Sequence, residues 1–236
     1  MEVQLLRAAN PSPYTLSGTN TWIVGRDPAW VVDPGPALAP HLDAVVAAVA
    51  ARGGAGGIAV THSHPDHAEG LAELSAHLGE PPVGAMPGLR DGDEFGPFAV
   101  LHVPGHAADH LVFVAGGGAF TGDAVLGEGS VFIAPGGGSL AAYLAGLRRL
   151  RALGLRRIYP GHGPVVEDPD AKLDEYIAHR LEREARIVAA LESGARTEDE
   201  LLDAAWPEIP AGLRIAAAWT LAAHLDKLRE EGRLPE

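Results

Sequence analysis

Apolar residues follow two different patterns along the chain, and the change falls near residue 168. Before it, short apolar runs that end at turn residues alternate with segments whose apolar residues recur three and four positions apart. We predict helices over residues 38–51, 68–78 and 139–153. The predicted strands cover residues 21–24, 30–32, 58–60, 98–103, 111–114, 119–121 and 156–159. This alternation predicts an α/β (α+β) fold in which sheets are flanked by helices.

After residue 168 the pattern is helical throughout. The predicted helices cover residues 169–193, 197–205 and 211–231. Thr197 and Glu200 have the spacing of a capping box, in which each side chain binds the backbone N–H of the other residue. We therefore predict two domains, an α/β catalytic domain over residues 1–168 and a long helix with a small helical, winged-helix-like domain over residues 169–236.

Composition narrows the possible chemistry. The 236 residues include no cysteine, which excludes disulfides and thiolate metal sites, so any metal must bind nitrogen and oxygen ligands. The formal net charge of −13 provides no overall field that would attract nucleic acid. The N-terminal residues lack the basic start and apolar run of a signal peptide, and no apolar stretch near them approaches the ~20 residues of a membrane helix. We expect a cytoplasmic protein with no membrane partner.

Histidine and aspartate residues follow four of the predicted strands. The loop after residues 58–60 is the densest, and three further loops present one such residue each. Because strand ends at one sheet edge point their loops into a common space, these side chains are expected to converge. The seven candidate metal ligands are His62, His64, Asp66, His67, His106, Asp123 and His162.

The spacing within the first loop predicts a division between two metal ions. His62 and His64 are two residues apart, so an extended segment places both rings on one side. With His106 they would form an all-nitrogen site, whereas Asp66, His67 and His162 would form a mixed site and Asp123 would bridge the two. Each ion would keep a position for a shared water or hydroxide. We expect two Zn²⁺ ions, although Mn²⁺ or Fe²⁺ could use the same ligands.

The seven residues, in this order and spacing, resemble the ligand set of the metallo-β-lactamase superfamily, with none substituted. That resemblance implies an αββα sandwich with the metals at one edge and a metal-dependent hydrolase. Six motifs carry a narrower resemblance to the β-lactamase-like protein 2 group, which includes a single-strand-specific endoribonuclease and has relatives that act on thioesters. The motifs are GTNT at 18–21, VDPG at 32–35, THSHPDH at 61–67, PGHAADH at 104–110, GDAVLGEG at 122–129 and IYPGHGP at 158–164.

Two residues are candidates for catalysis beyond metal binding. Asp66 would orient the nucleophile while it binds a metal. His110 follows His106 closely, and it would either support a ligand or protonate the leaving group.

Four residues are candidates for supporting roles. Asp33, at the end of a strand, is expected to hydrogen-bond the backbone of the histidine loop, and Asn20 is a weaker candidate for the same role. His179 and Arg180 on the long charged helix could reach the site mouth and bind a phosphate or carboxylate.

Three functions remain compatible with the sequence, and the oligomeric state is left open. The first is phosphodiester cleavage of single-stranded RNA, which the narrower resemblance favours. The second is hydrolysis of a small acyl thioester or ester, as in glyoxalase II-like enzymes or acyl thioesterases. The third is a metal-binding interaction protein without turnover. An RNA substrate would be held by the basic cluster Arg148, Arg149, Arg151, Arg156 and Arg157.

Overall fold

The computed structural model describes residues 1–134 and 138–234. Its first sheet has five strands in the order β1-β2-β3-β4-β5. β2 pairs antiparallel with both β1 and β3, whereas β3, β4 and β5 run parallel. The strands are β1 Val3–Arg7, β2 Asn20–Val24, β3 Ala29–Val32, β4 Ala55–Ala59 and β5 Val83–Gly84.

The second sheet also has five strands, in the order β10-β9-β8-β7-β6. Its strands pair antiparallel except for β9 and β10, which are parallel. The strands are β6 Glu94–Phe95, β7 Phe98–His102, β8 Leu111–Ala115, β9 Gly118–Gly122 and β10 Arg157–Pro160.

Seven α-helices lie within the described residues, and a 3₁₀ turn at Ala211–Leu213 precedes the last of them. The prediction for residues 68–78 is corrected, because two shorter helices replace the single one. Pro65 starts the first of these helices inside the histidine motif, where its fixed φ suits the first helical position. The helices are α1 Ala39–Ala50, α2 Pro65–Ala68, α3 Leu71–His77, α4 Leu140–Arg151, α5 Pro169–Glu192, α6 Glu198–Ala205 and α7 Arg214–Glu230.

Alternate residues of β2 show how the two sheets are layered. Trp22 and Val24 pack with Phe98 and Phe113 of the second sheet, whereas Ile23 packs with apolar residues of α1 and α3. On the far face of the second sheet, a third cluster joins β8, β9 and β10 to α4 and α5. The order of layers is therefore helices, sheet, sheet, helices, which confirms the αββα sandwich.

Three strands were not predicted from the pattern of apolar residues. β1 is an edge strand that pairs only with β2, and its residues are only partly buried. β5 and β6 have two residues each, which is too short for any periodic signal.

The helix α5 belongs to two cores. Leu173 and Tyr176 pack against the second sheet, whereas Ile187, further along the same helix, packs with residues of α6 and α7. Buried Glu184 links α5 to α7 through an ion pair with Lys227 at 2.8 Å. The boundary at residue 168 remains a prediction, and residues 235–236 of the predicted second domain lie outside the described residues.

No helix among the described residues is both long enough and apolar enough to cross a bilayer.

The capping box predicted at the start of α6 is present. The Thr197 hydroxyl accepts from the Glu200 backbone N–H at 3.3 Å, and the Glu200 carboxylate accepts from the Thr197 N–H at 2.9 Å. We expect Thr197→Ala to lower the free energy of unfolding by about 1 kcal/mol, because it removes the partner of an N–H at the helix start. Thr197→Ser keeps the hydroxyl and serves as the matched control. Urea denaturation followed by circular dichroism measures both, and an equal loss in the two variants would contradict the prediction.

Candidate metal centre

The loops that carry the candidate ligands lie at one edge of the two sheets. After β4 the chain reaches His64, whose backbone is extended, and then turns at Pro65 into α2, which holds Asp66 and His67. His106, Asp123 and His162 follow β7, β9 and β10. The change from extended to helical backbone within one loop lets neighbouring side chains face two different points.

The structure brings all seven side chains together in two groups that could each hold a metal ion. Within each group the candidate ligand atoms lie within 4.8 Å of one another. The groups are His62, His64, His106 and Asp123, and Asp66, His67 and His162. This is the division that the spacing of the first loop predicts.

Distances between donor atoms fit tetrahedral metal coordination. His64 Nδ1 lies 2.9 Å from His62 Nε2 and 3.0 Å from His106 Nε2. Asp66 Oδ2 lies 3.3 Å from His67 Nε2 and 3.2 Å from His162 Nε2. Ligands about 2.0–2.1 Å from a central zinc would be separated by roughly 3.3 Å, so both groups surround a point at bonding distance.

Asp123 presents one carboxylate oxygen to each group. Its Oδ1 lies 3.3 Å from both His67 Nε2 and His162 Nε2, whereas its Oδ2 lies 3.6 Å from His106 Nε2. A carboxylate in this position can bridge two ions.

The outward-facing ring nitrogens of two candidate ligands have hydrogen-bond partners outside the centre. His62 Nδ1 lies 3.0 Å from Thr61 Oγ1, and His106 Nδ1 lies 2.9 Å from the carbonyl oxygen of Phe132. In contrast, His67 Nε2 and Asp123 Oδ1 are buried and make no hydrogen bond. Buried polar atoms without a partner are rare, and here they point at a common centre. The residues therefore fit a pair of divalent metals.

Asp33 supports this arrangement from behind. Its Oδ1 accepts from the Thr61 backbone N–H at 2.7 Å and its Oδ2 accepts from the Thr61 hydroxyl at 2.9 Å, while His67 Nδ1 lies 2.9 Å from Oδ2. Burial alone would lower the pKa of His67, but the carboxylates of Asp123 and Asp33 raise it well above its ordinary value. The surroundings of His67 Nε2 thus favour a positive charge.

Asn20 and Thr19 hold the second group from the β2 side. The Asn20 amide donates to the carbonyl oxygens of Pro160 at 3.0 Å and Gly163 at 2.9 Å, on either side of His162. The Thr19 hydroxyl donates to Asp66 Oδ2 at 3.1 Å. Thr19 was not among the predicted site residues, and its only signal in the sequence is its place in the GTNT motif.

His110 does not lie where it could protonate a leaving group, which corrects that candidate role. The residue is fully buried, its ring stacks on His62 with centroids 4.8 Å apart, and its Nε2 accepts from the Asp123 backbone N–H at 3.2 Å. Burial lowers the pKa of His110 well below its usual value, which favours the neutral ring. The structure instead favours the alternative role, in which His110 positions Asp123.

Arg180 is enclosed and does not face an external anion, which corrects that expectation, and His179 is half-buried with an internal hydrogen-bond partner. Arg180 is 2% exposed and donates to Ser130 Oγ at 2.9 Å and to the carbonyl oxygen of Val131. His179 accepts from Arg183 Nε at 3.1 Å. Burial and the charges of the adjacent arginines lower the pKa of His179 to about 4. A neutral histidine and an enclosed arginine do not offer an accessible positive charge to a phosphate.

An apolar cavity of about 330 Å³ opens onto His64, His106 and Asp123. Its lining comes from separate segments of the chain, which explains why no sequence pattern revealed it. The larger apolar and aromatic lining residues are Tyr14, Leu16, Leu126, Val131, Phe132 and Trp219.

Loss of the Asp33 carboxylate is expected to weaken metal binding without removing a ligand. We expect Asp33→Ala to lower metal affinity by about 10- to 100-fold, because the ring of His67 and the backbone at Thr61 lose their common partner. Asp43→Ala, at an exposed position of α1, is the control and should bind metal as the unaltered chain does. Competition titration against a chelator measures the affinities, and equal values for the two variants would contradict the prediction.

Comparison with known proteins agrees with this architecture. Residues 87–162 match the family model of the metallo-β-lactamase superfamily, and residues 197–235 match the β-lactamase-associated winged helix domain. A β-lactamase-like protein 2 homolog of Caenorhabditis elegans is 30% identical, with 94% of this chain and 82% of that protein covered. An atrochrysone carboxyl ACP thioesterase of Aspergillus chevalieri is 35% identical over 78% of this chain and 64% of its own length.

A solved structure shares the fold over almost the whole chain. The metallo-β-lactamase family protein TTHA1429 of Thermus thermophilus has a TM-score of 0.73 and 28% identity, with 98% of this chain and 94% of that chain covered. The chain belongs to the metallo-β-lactamase superfamily of metal-dependent hydrolases, and it carries a C-terminal β-lactamase-associated winged helix domain.

Proposed function

We propose that this chain hydrolyses thioesters or esters of an apolar acyl group at a site that holds two zinc ions. The observation that carries the proposal is the apolar cavity, which shares His64, His106 and Asp123 with the first group of candidate ligands. A carbonyl bound at this group would have its acyl chain next to the apolar walls, where burial of each methylene is favourable. The relative named as an ACP thioesterase supports the same substrate class.

The residues of the site divide the chemical work. The metal ions, when bound, supply an acidified water and polarise the carbonyl. Asp66 lies at the border with solvent, with 28% of its side chain exposed, so it can orient the attacking water. The Thr19 hydroxyl holds the Asp66 carboxylate in place, and His110 holds the backbone of Asp123.

The buried position of His110 also affects which leaving groups the site can accept. A thiol has a pKa of about 8.5, so a thiolate can depart without a proton from the protein. An alkoxide is far more basic, so its departure depends on a proton or on a metal ion that stabilises its charge. His110 is fully buried and does not line the cavity, so it offers no proton to a leaving group there, which favours a thioester over a substrate with an alkoxide leaving group.

Cleavage of single-stranded RNA is the second candidate, favoured by similarity to β-lactamase-like protein 2 homologs over 94% of the chain. Two observations count against it. The described residues that line the cavity include no lysine or arginine. In addition, Arg149 pairs with Asp91 at 2.8 Å and Arg157 pairs with Glu167 at 2.8 Å, so these cations already have acidic partners.

One member of the basic cluster lies at the opposite end of β10 from the site. Arg157 begins that strand, and His162 follows its other end. An RNA strand held by the cluster would therefore have to span the length of the strand to reach the metals.

Hydrolysis of acyl thioesters by the zinc-loaded chain is the first expected outcome. Asp123→Ala is expected to lower kcat/KM by at least about a hundredfold, because it removes the charge between the two groups. Asp43→Ala should leave the rate unchanged. A panel of acyl thioesters and a labelled single-stranded RNA, assayed side by side, measures both activities. Cleavage of RNA alone would support the second candidate, and metal binding without any turnover would support an interaction protein.

Neutralising the basic cluster separates the two enzymatic candidates. Arg148 and Arg149 are exposed on α4, and we expect Arg148→Gln with Arg149→Gln to leave thioester turnover unchanged at low and high salt. An RNA substrate would instead bind more weakly and with a smaller salt dependence after loss of these charges. Steady-state rates over a salt series test this expectation, and a loss of thioester turnover in the double variant would contradict it.

A further inference from the structure

The winged helix domain contributes directly to the cavity beside the metal centre. Leu213, in the 3₁₀ turn, and Trp219, in α7, line the same space as His64 and His106. Trp219 is 38% exposed, so it lies at the boundary between the cavity and solvent. Part of the cavity is therefore built by residues that lie far along the chain from the metal-binding loops.

Hydrogen bonds tie this domain to another wall of the cavity. The Ile133 backbone N–H donates to the hydroxyl of Thr220 at 3.3 Å, and Thr220 is the neighbour of Trp219 on α7. The same wall segment is held by α5, because Arg180 donates to Ser130 and to the carbonyl oxygen of Val131. The neighbour of Trp219 on α7 is therefore bonded to the segment that forms this wall.

The exposed side of α7 does not have the character of a nucleic-acid recognition helix. Arg214, at its start, pairs with Asp199 and Asp203, each at 2.9 Å. The next exposed side chains on this side are apolar, with Ile215 67% exposed. A helix that enters a nucleic-acid groove would present free cations to phosphate.

The size of the cavity limits what it can hold. Its volume of about 330 Å³ lies near the lower end for ligand pockets. One water-sized group takes about 30 Å³, so the space accommodates about eleven such groups. An acyl chain of about eight to ten carbons would fill it.

We propose that the winged helix domain is part of the substrate site and that Trp219 sets the length of the acyl chain. This inference rests on the proposed thioester or ester hydrolysis for its substrate, but the cavity itself can be tested without turnover. The domain then selects the acyl group, and the α/β domain supplies the metal centre.

Binding of straight-chain alkanols to the zinc-loaded chain tests the cavity alone. For the unaltered chain, calorimetry should show affinity rising about fourfold per added methylene until about eight to ten carbons, and then levelling. Trp219→Ala should extend the rise by at least about two carbons, since the indole no longer limits the space. Ile215→Ala, one turn earlier on the same helix and outside the cavity, is the matched control and should show the original limit.

The kcat/KM profile over acyl thioesters of increasing length tests the same limit during turnover. Its optimum should move to longer chains in Trp219→Ala and stay in place in Ile215→Ala. If Trp219→Ala does not fold, Trp219→Phe removes less volume and should move both limits by about one carbon in the same direction.

The outcomes separate the two proposals. In one outcome, the chain-length limit of alkanol binding depends on Trp219, but no thioester or ester is hydrolysed. This result would overturn the proposed function and support the inference about the cavity. In the other outcome, thioesters are hydrolysed, but a folded Trp219 variant keeps the original chain-length limits in both alkanol binding and kcat/KM. This result would overturn the inference and support the proposed function.

Discussion

The carboxylate of Asp123 is held out of water between two sets of histidine rings, and the metal centre depends on it. One of its oxygens is buried without a hydrogen bond, and opposite charge nearby is what can offset such a loss of solvation. The adjacent histidines hold the pKa of Asp123 well below its usual range despite the effect of burial. A site of five imidazoles and two carboxylates, one of them shared between the groups, is thus arranged for cations before any substrate enters.

The two sheets and the loops between them hold these side chains in their relative positions. Asp33 ties the histidine loop to the end of β3, Asn20 ties the His162 loop to the start of β2, and His110 ties the backbone of Asp123 to the adjacent loop. Each of these contacts joins segments that are distant in sequence. The chemistry of the site therefore depends on the packing of the whole sandwich, because small rotations between the sheets would separate the donors.

The winged helix domain contributes apolar surface beside the polar metal centre. α5 shares its buried residues between the two cores, so the tail is packed onto the catalytic domain through a common helix. The cavity between them is apolar, whereas the metal-facing side is polar and charged. A substrate that matches both surfaces has a reactive carbonyl at one end and a hydrocarbon chain at the other, which is the basis for favouring thioesters over RNA.

The sequence by itself determined an α/β fold with sheets flanked by helices and the set of polar residues at the strand ends, because both follow from local patterns, whereas the order of the four layers was implied by the family resemblance. Turn-bounded apolar runs mark most of the strands, and the HxHxDH motif with three later residues marks the site. Only the tertiary structure decided the roles of His110, His179 and Arg180, because burial and hydrogen-bond partners depend on residues far along the chain. The same is true of the cavity, which brings Tyr14, Phe132 and Trp219 together from three separate segments that share no local pattern.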